Sequence, residues 1–234
     1  RDLHSFPTRR SSDLYSFYDS RTVEVDIGSR LMPETSPVDA GLIASSEFDS
    51  RDTAFSPTRG LAAALEYLQS ERSLGADRDW ERVELGVGAA VPFRRDVLWV
   101  TLAGGSALSG DLPPDRRFAL GGPGSFPGLE VGELRVGSYW TVGTNYLWKV
   151  RDVLPVRNLA LYLGAGIAGG AIYDRVDEGE TGEIYGGSVF LTGRTHVGPL
   201  TVGIGATSTD SWSLWVSVGR PVGHGTILER GIFR

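Results

Sequence analysis

"SWSLWVSVG" (211–219) alternates without a break: Trp212, Leu214, Val216 and Val218 take one face, and Ser213, Trp215, Ser217 and Gly219 the other. A strand sends successive side chains to opposite faces, whereas a helix would gather positions three and four apart, so this stretch reads as β. The pattern recurs upstream. In "PLTVGIGAT" (199–207), Leu200, Val202, Ile204 and Ala206 oppose Thr201, Gly203, Gly205 and Thr207. "LALYLGAGIAGGAIY" (159–173) and "RVELGVGAAV" (82–91) again set a continuous apolar face against a small or polar one.

Such segments number about ten, near 21–28, 41–49, 60–70, 80–92, 96–108, 136–150, 157–173, 183–197, 199–208 and 211–221. The connections "PFRRD", "RDVLPVR" and "HVGP" are tight, and "QSERSLGADRD", residues 109–135 and "DRVDEGETGE" are longer. Two connections break the alternation: "STDS" is short on the long side, and "DSRDTAFSPTRG" is long on the short side. With those exceptions the chain predicts an all-β, antiparallel up-and-down meander with one short-turn end and one long-loop end.

The medium outside the apolar face follows from what lies opposite it. A solvated face would be rich in Lys, Glu and Asp. Here the opposite face is mostly Gly, Ser, Thr and Ala, with scattered charges such as Glu66, Arg82, Glu84 and Arg194. Segments of about ten residues, tilted near 45°, span about 25 Å, the apolar thickness of an outer membrane. Trp140 and Trp148 share the apolar face of one segment, where an aromatic girdle would lie. The reading is therefore a transmembrane β-barrel wall with lipid outside. It predicts that Val216→Arg costs about 2–4 kcal/mol and Ser217→Arg much less.

Composition excludes several alternatives. The net charge of −6 and pI near 5.1 argue against a nucleic-acid partner. With no Cys in 234 residues there is neither a disulfide framework nor thiolate chemistry. No run of 18 apolar residues forms a membrane helix, which leaves barrel strands untouched.

"RFALGGPGSFPGLEVGELR" (117–135) invites a catalytic or phosphate-binding reading. A phosphate loop opens a helix, but strand pattern follows Gly128, and no G-x-S-x-G pentad for a nucleophile turn occurs anywhere. His196 falls beside Arg194 on the small-residue face and has no catalytic partner in pattern; "EGETGE" (178–183) lacks a calcium frame. No catalytic residue, metal site or cofactor is expected. The stretch reads as a long loop between strands, its structural motif carried by Gly121, Gly122, Pro127, Gly128, Gly132 and Glu133. The inner wall includes Glu84, Gly164, Arg194 and His196.

Residues 4–14, "HSFPTRRSSDL", look like a translated sequencing adapter, so 1–14 are set apart from a barrel domain at 15–222 and a tail at 223–234. "DSRDTAFSPTRG" (49–60), the 117–135 loop and the last strand "SLWVSVGRPV" resemble the bacterial surface antigen superfamily of outer-membrane barrels, which includes the BamA, TamA and FhaC types. The resemblance covers roughly 21–222 and implies sixteen strands, of which this chain holds the last ten or so, with the loop at about 109–135 folded back into the lumen and with upstream strands and periplasmic domains expected in the parent. The family loop carries an Arg before its Gly, held by an acidic residue on the wall; here Pro127 and Gly164 occupy those two positions. That departure is most like the barrels fused to patatin-like phospholipases, whose lipase domain lies upstream. The resemblance implies a bacterial outer-membrane location and a role in anchoring or translocation. Its partners would be outer-membrane lipid and a polypeptide substrate or fused upstream domains. The alternative is a barrel for outer-membrane protein assembly or two-partner secretion.

Overall fold

The computed structural model describes residues 10–11, 16–21, 38–53, 57–150, 161–176, 181–195 and 198–218, with residues 10–11, 16–21, 194, 195, 198 and 199 as backbone alone. The strands in chain order are β1 Arg10–Ser11, β2 Ser16–Arg21, β3 Val38–Asp49, β4 Gly60–Ser70, β5 Trp80–Phe93, β6 Asp96–Ser109, β7 Phe118–Leu120, β8 Leu134–Val150, β9 Leu161–Arg175, β10 Gly182–Thr195, β11 Gly198–Thr207 and β12 Trp212–Val218. All belong to one antiparallel sheet in the order β1-β3-β4-β5-β6-β8-β9-β10-β11-β12, with β2 also on β3, and β7 on β8. From β3 onward each long strand pairs with its neighbours in sequence, which is the expected meander. Among the described residues the only helical turn is a 3-10 turn at Arg72–Leu74, and no helix is long and apolar enough to cross a membrane.

Strand limits follow the alternation closely from 60 onward. At the N-terminal side they differ: β2 pairs Ser16–Arg21 with β3, and of the expected 21–28 strand only Arg21 lies within the described residues. Arg10 and Ser11, inside the adapter-like segment, pair with Phe48 and Glu47.

Register turns the period-two pattern into rows that run across the wall. One outward row runs Ala63, Val87, Leu102, Val142, Gly169, Tyr185, and the next runs Ala89, Val100, Thr144, Ile167, Gly187, Ala206, Trp212. Leu85, Leu102, Trp140, Val142, Trp148, Ile167, Val189, Ile204 and Val216 are all exposed on this face. So much contiguous apolar surface would be untenable in water and fits hydrocarbon. The inward rows carry small residues at mid-height: Gly88, Thr101, Gly143, Ala168, Gly186, Thr207.

At the short-turn end the inner face fills itself. Ala90, Val97 and Leu147 pack with Trp99, Tyr162 and Phe190. Gly164 and Gly203 make room for this layer: a Cβ at Gly164 would strike the Phe190 ring, and one at Gly203 would lie 2.5 Å from the Trp215 ring. The Trp99 indole of this layer donates to the Pro57 carbonyl, in the turn between β3 and β4, at 2.8 Å. In that turn Asp52 accepts from the Thr58 amide at 2.9 Å, the Thr58 hydroxyl, and the Arg59 amide at 3.3 Å. Partial burial pushes the Asp52 carboxyl up, and those donors overcome it and hold it below its usual range.

Candidate functional site

Small side chains on the inner wall leave a volume that the wall cannot fill, and the 110–133 connection between β6 and β8 fills it. Its entry is a tight turn in which the Arg116 and Arg117 amides both donate to the Pro113 carbonyl, at 2.8 and 3.2 Å. β7 then doubles back on β8, Phe118 opposite Val136 and Leu120 opposite Leu134. Leu112, Phe118, Leu120, Phe126 and Leu129 are buried and form the main apolar core with Trp80, Leu134, Val136, Tyr139, Ile172 and Ile184. The loop is therefore an interior, supplying the large apolar groups that the Gly-rich wall lacks. Gly105 is matched to it, because a Cβ there would sit 2.6 Å from the Phe118 ring.

Beyond β7 the chain turns on itself. The buried Ser125 hydroxyl accepts the Gly121 amide at 2.9 Å, the Gly122 amide reaches the Leu129 carbonyl at 3.0 Å, and the Glu130 amide donates to the Glu133 carboxylate at 2.6 Å. Gly121 has φ +125°, and a Cβ there would collide with the Glu130 carbonyl, so no L-side chain fits.

The tip reaches the opposite wall. Gly128 also has φ +125°, and a Cβ on it would lie 2.6 Å from the Ala206 carbonyl carbon. From the wall side, a Cβ at Gly205 would lie 2.8 Å from the Pro127 carbonyl carbon, and one at Gly186 would lie 2.9 Å from the Pro127 oxygen. Pro127–Gly128 thus seats closely on β10 and β11, through its backbone and the Pro127 ring.

Charge anchors the loop at its root instead. Arg116 Nε meets the Asp39 carboxylate at 2.8 Å on β3, and the neighbouring Arg117 Nη1 meets Asp174 Oδ1 at 3.1 Å on β9. Two consecutive arginines so tie the loop to two distant parts of the wall. Asp39 is 1% exposed and also receives Arg78 at 3.3 Å and the Trp80 indole at 3.3 Å. Arg82 donates to the Arg116 carbonyl at 2.6 Å and to Glu66 at 3.3 Å, and its guanidinium stands 5.3 Å from the centre of the Phe118 ring.

Of the residues singled out in the sequence, Gly121, Gly122, Pro127 and Gly128 lie within this packed loop; Gly132 (φ +74°) and Glu133 form its exit turn. Glu84 is on the inner wall, 2% exposed, and accepts the Tyr139 hydroxyl at 2.6 Å. Gly164 lies under Phe190 in the short-turn layer, away from the loop tip, which seats at Gly186 and Gly205. The Arg194 backbone pairs with Pro199; its side chain and His196 lie outside the described residues. Asp39, Arg116, Arg117, Asp174, Gly186 and Gly205 are the residues that sequence reasoning did not single out. The signal available for them was the "DRR" at 115–117 inside an otherwise apolar and Gly-rich insertion.

The root contacts differ in burial, and so should their worth. Asp39→Ala in the full-length protein is expected to cost about 1.5–3 kcal/mol, because it strips charged hydrogen bonds from a buried carboxylate. Asp174 is 63% exposed, and Asp174→Ala should cost under about 1 kcal/mol. Denaturant titration in detergent reads the difference; equal costs would remove Asp39 from its anchoring role.

Among the described residues no group of three or more His, Cys, Asp or Glu could hold a metal ion. Residues 18–179, which include the whole loop, match the Omp85 superfamily domain. No curated protein sequence matches the chain. Among solved structures, the crystal structure of BamA from Haemophilus ducreyi lacking POTRA domains 1-3 is similar, with a TM-score of 0.63 at 11% identity over 79% of this chain. This chain spans 43% of that one.

Proposed function

The chain belongs to the Omp85 superfamily, and from that premise we propose that it is the C-terminal part of a barrel that anchors or passes a polypeptide or fused domain, in a parent of the patatin-like kind with its lipase domain upstream. The fold is that of a bacterial outer-membrane barrel, in general a non-enzymatic one. The observation that supports the patatin-like reading is the loop tip. Pro127 and Gly128 pack closely on Gly186, Gly205 and Ala206, and Pro127 stands at the position where the resemblance would place the superfamily's charged anchor. The barrel's part would be to hold the upstream domain at the membrane, with the loop filling the lumen at rest. Passage through the described part of the lumen would require the loop to leave its seat, since its apolar groups are the core there.

A second reading, a barrel for outer-membrane protein assembly or polypeptide secretion, is favoured by the fold-level likeness to BamA. Labelling the full-length protein with a fluorophosphonate separates the two. The patatin-like reading predicts a labelled serine in the upstream part and ester hydrolysis lost with it. An unlabelled protein whose upstream part consists of repeated small α/β modules would overturn it in favour of assembly or secretion.

A further inference from the structure

Both ends of the wall hold arginines that meet carboxylates, and at the short-turn end Arg51 meets Asp49 at 2.9 Å. At the long-loop end Arg72, Arg78, Arg116 and Arg117 each meet a carboxylate. At the short-turn end the tight β5–β6 turn exposes Arg94 and Arg95, and the end of β8 exposes Lys149. Among the described residues none of these three forms an ion pair. The acid beside them is already engaged: Asp96 accepts the Tyr146 hydroxyl at 2.8 Å and the Lys149 amide at 3.0 Å. Arg94 holds φ +59° at the turn, and its guanidinium stands 5.8 Å from the centre of the exposed Phe93 ring.

Directly beside these cations is outward apolar surface. Phe93 pairs with Asp96 across the turn, and Tyr146 pairs with Leu98 on the same face. The Tyr146 and Trp148 rings lie 4.7 Å apart, and Val91, Phe93 and Trp148 are exposed. Arg94 and Arg95, with no ion pair among the described residues, border this cluster of outward aromatics and form with it an amphipathic surface at the membrane boundary, whereas Lys149 pairs with Tyr162 on the inner side of the same rim. Its polar part suits a phosphate and its apolar part an acyl chain.

We propose that this surface, Arg94 and Arg95 with Phe93, Tyr146 and Trp148, is a binding site for an anionic phospholipid of the periplasmic leaflet. The headgroup phosphate accepts hydrogen bonds from the turn arginines, whose planar guanidinium suits bidentate contact. The first acyl carbons lie along Phe93 and Trp148. Short turns of such barrels face the periplasm, which assigns the leaflet. The assignment rests on the outer-membrane location alone and holds whichever domains the full protein carries.

The test uses full-length protein in zwitterionic detergent micelles, titrated with phosphatidylglycerol or phosphatidylcholine, with retained lipid counted by native mass spectrometry. Phosphatidylglycerol is expected to bind about tenfold more tightly than phosphatidylcholine, and the combined Arg94→Gln, Arg95→Gln variant to lose that preference. Arg72→Gln, an exposed cation at the opposite end, should keep it. Heat-modifiable gel mobility confirms that each variant is folded, and Lys at both arginine positions should restore part of the preference. Equal retention of the two lipids, an unchanged preference in the double variant, or an equal loss in Arg72→Gln would overturn the site. Displacement of the lipid by inorganic phosphate alone would also overturn it, since a free anion would then be the ligand.

Discussion

Val142→Arg is expected to destabilise the full-length barrel by about 2–4 kcal/mol. Val142 lies midway along β8 and is 44% exposed on the outward face. Its cross-strand neighbours are Leu102 and Gly169, so an introduced guanidinium finds no carboxylate beside it and must enter hydrocarbon or reach far to leave it. Val216→Arg belongs to the same class, since Val216 is 63% exposed on the same side of the sheet. Ser217→Arg, one residue on, turns toward Thr201 on the inner face and should cost much less. Unfolding titrations of the three variants in bilayers give the comparison, and equal costs would mean that the two faces have been exchanged.

Gly205→Val should have an effect of similar size for a steric reason. Gly205 is not at positive φ, so its backbone accepts any residue, and the only obstacle is the loop. The first added carbon alone would lie 2.8 Å from the Pro127 carbonyl carbon and 2.9 Å from its Cβ. Both are constrained atoms, so either the wall or the loop tip must move, with a cost of about 1–3 kcal/mol for overpacking. Exogenous protease should then cleave within 121–133 in the folded barrel. Gly187→Ala is the control, since its Cβ would meet nothing nearer than the Gly166 oxygen at 3.6 Å. If Gly205→Val is as stable and as protease-resistant as that control, the loop does not sit where the contact places it.

The strands were legible because their signal is local. "GLAAALEYLQS" and "SWSLWVSVG" each state which side faces lipid, and β4 spans the expected 60–70. Inward folding of the 109–135 loop came from the resemblance to the surface antigen barrels, while its own residues excluded only a phosphate loop and a nucleophile turn. What holds it was not legible. Arg116 and Asp39 are 77 positions apart, and Pro127 meets Gly205 across a similar gap, so no window of sequence contains either contact. β7 was missed because three residues are too few for alternation to show; its pairing with β8 is imposed by the fold-back. Gly164 looked like part of a lost loop anchor from its position, yet its small size serves the Phe190 ring, a partner on the next strand. Glycines on an inner wall therefore have at least two separate uses here, one for the loop backbone and one for the wall's own aromatics.

The central claim, lipid outside and loop inside, is tested most directly along β6. Single cysteines at Val100, Thr101, Leu102 and Ala103, spin-labelled in the full-length protein in bilayers, report collision with lipid-soluble oxygen and with a water-soluble nickel chelate. This part of the chain has no native cysteine to compete. The account predicts high oxygen access at Val100 and Leu102 and low access at Thr101 and Ala103, with Ala103 immobilised beneath the loop. Access that does not alternate, or that alternates in the opposite sense, would contradict it.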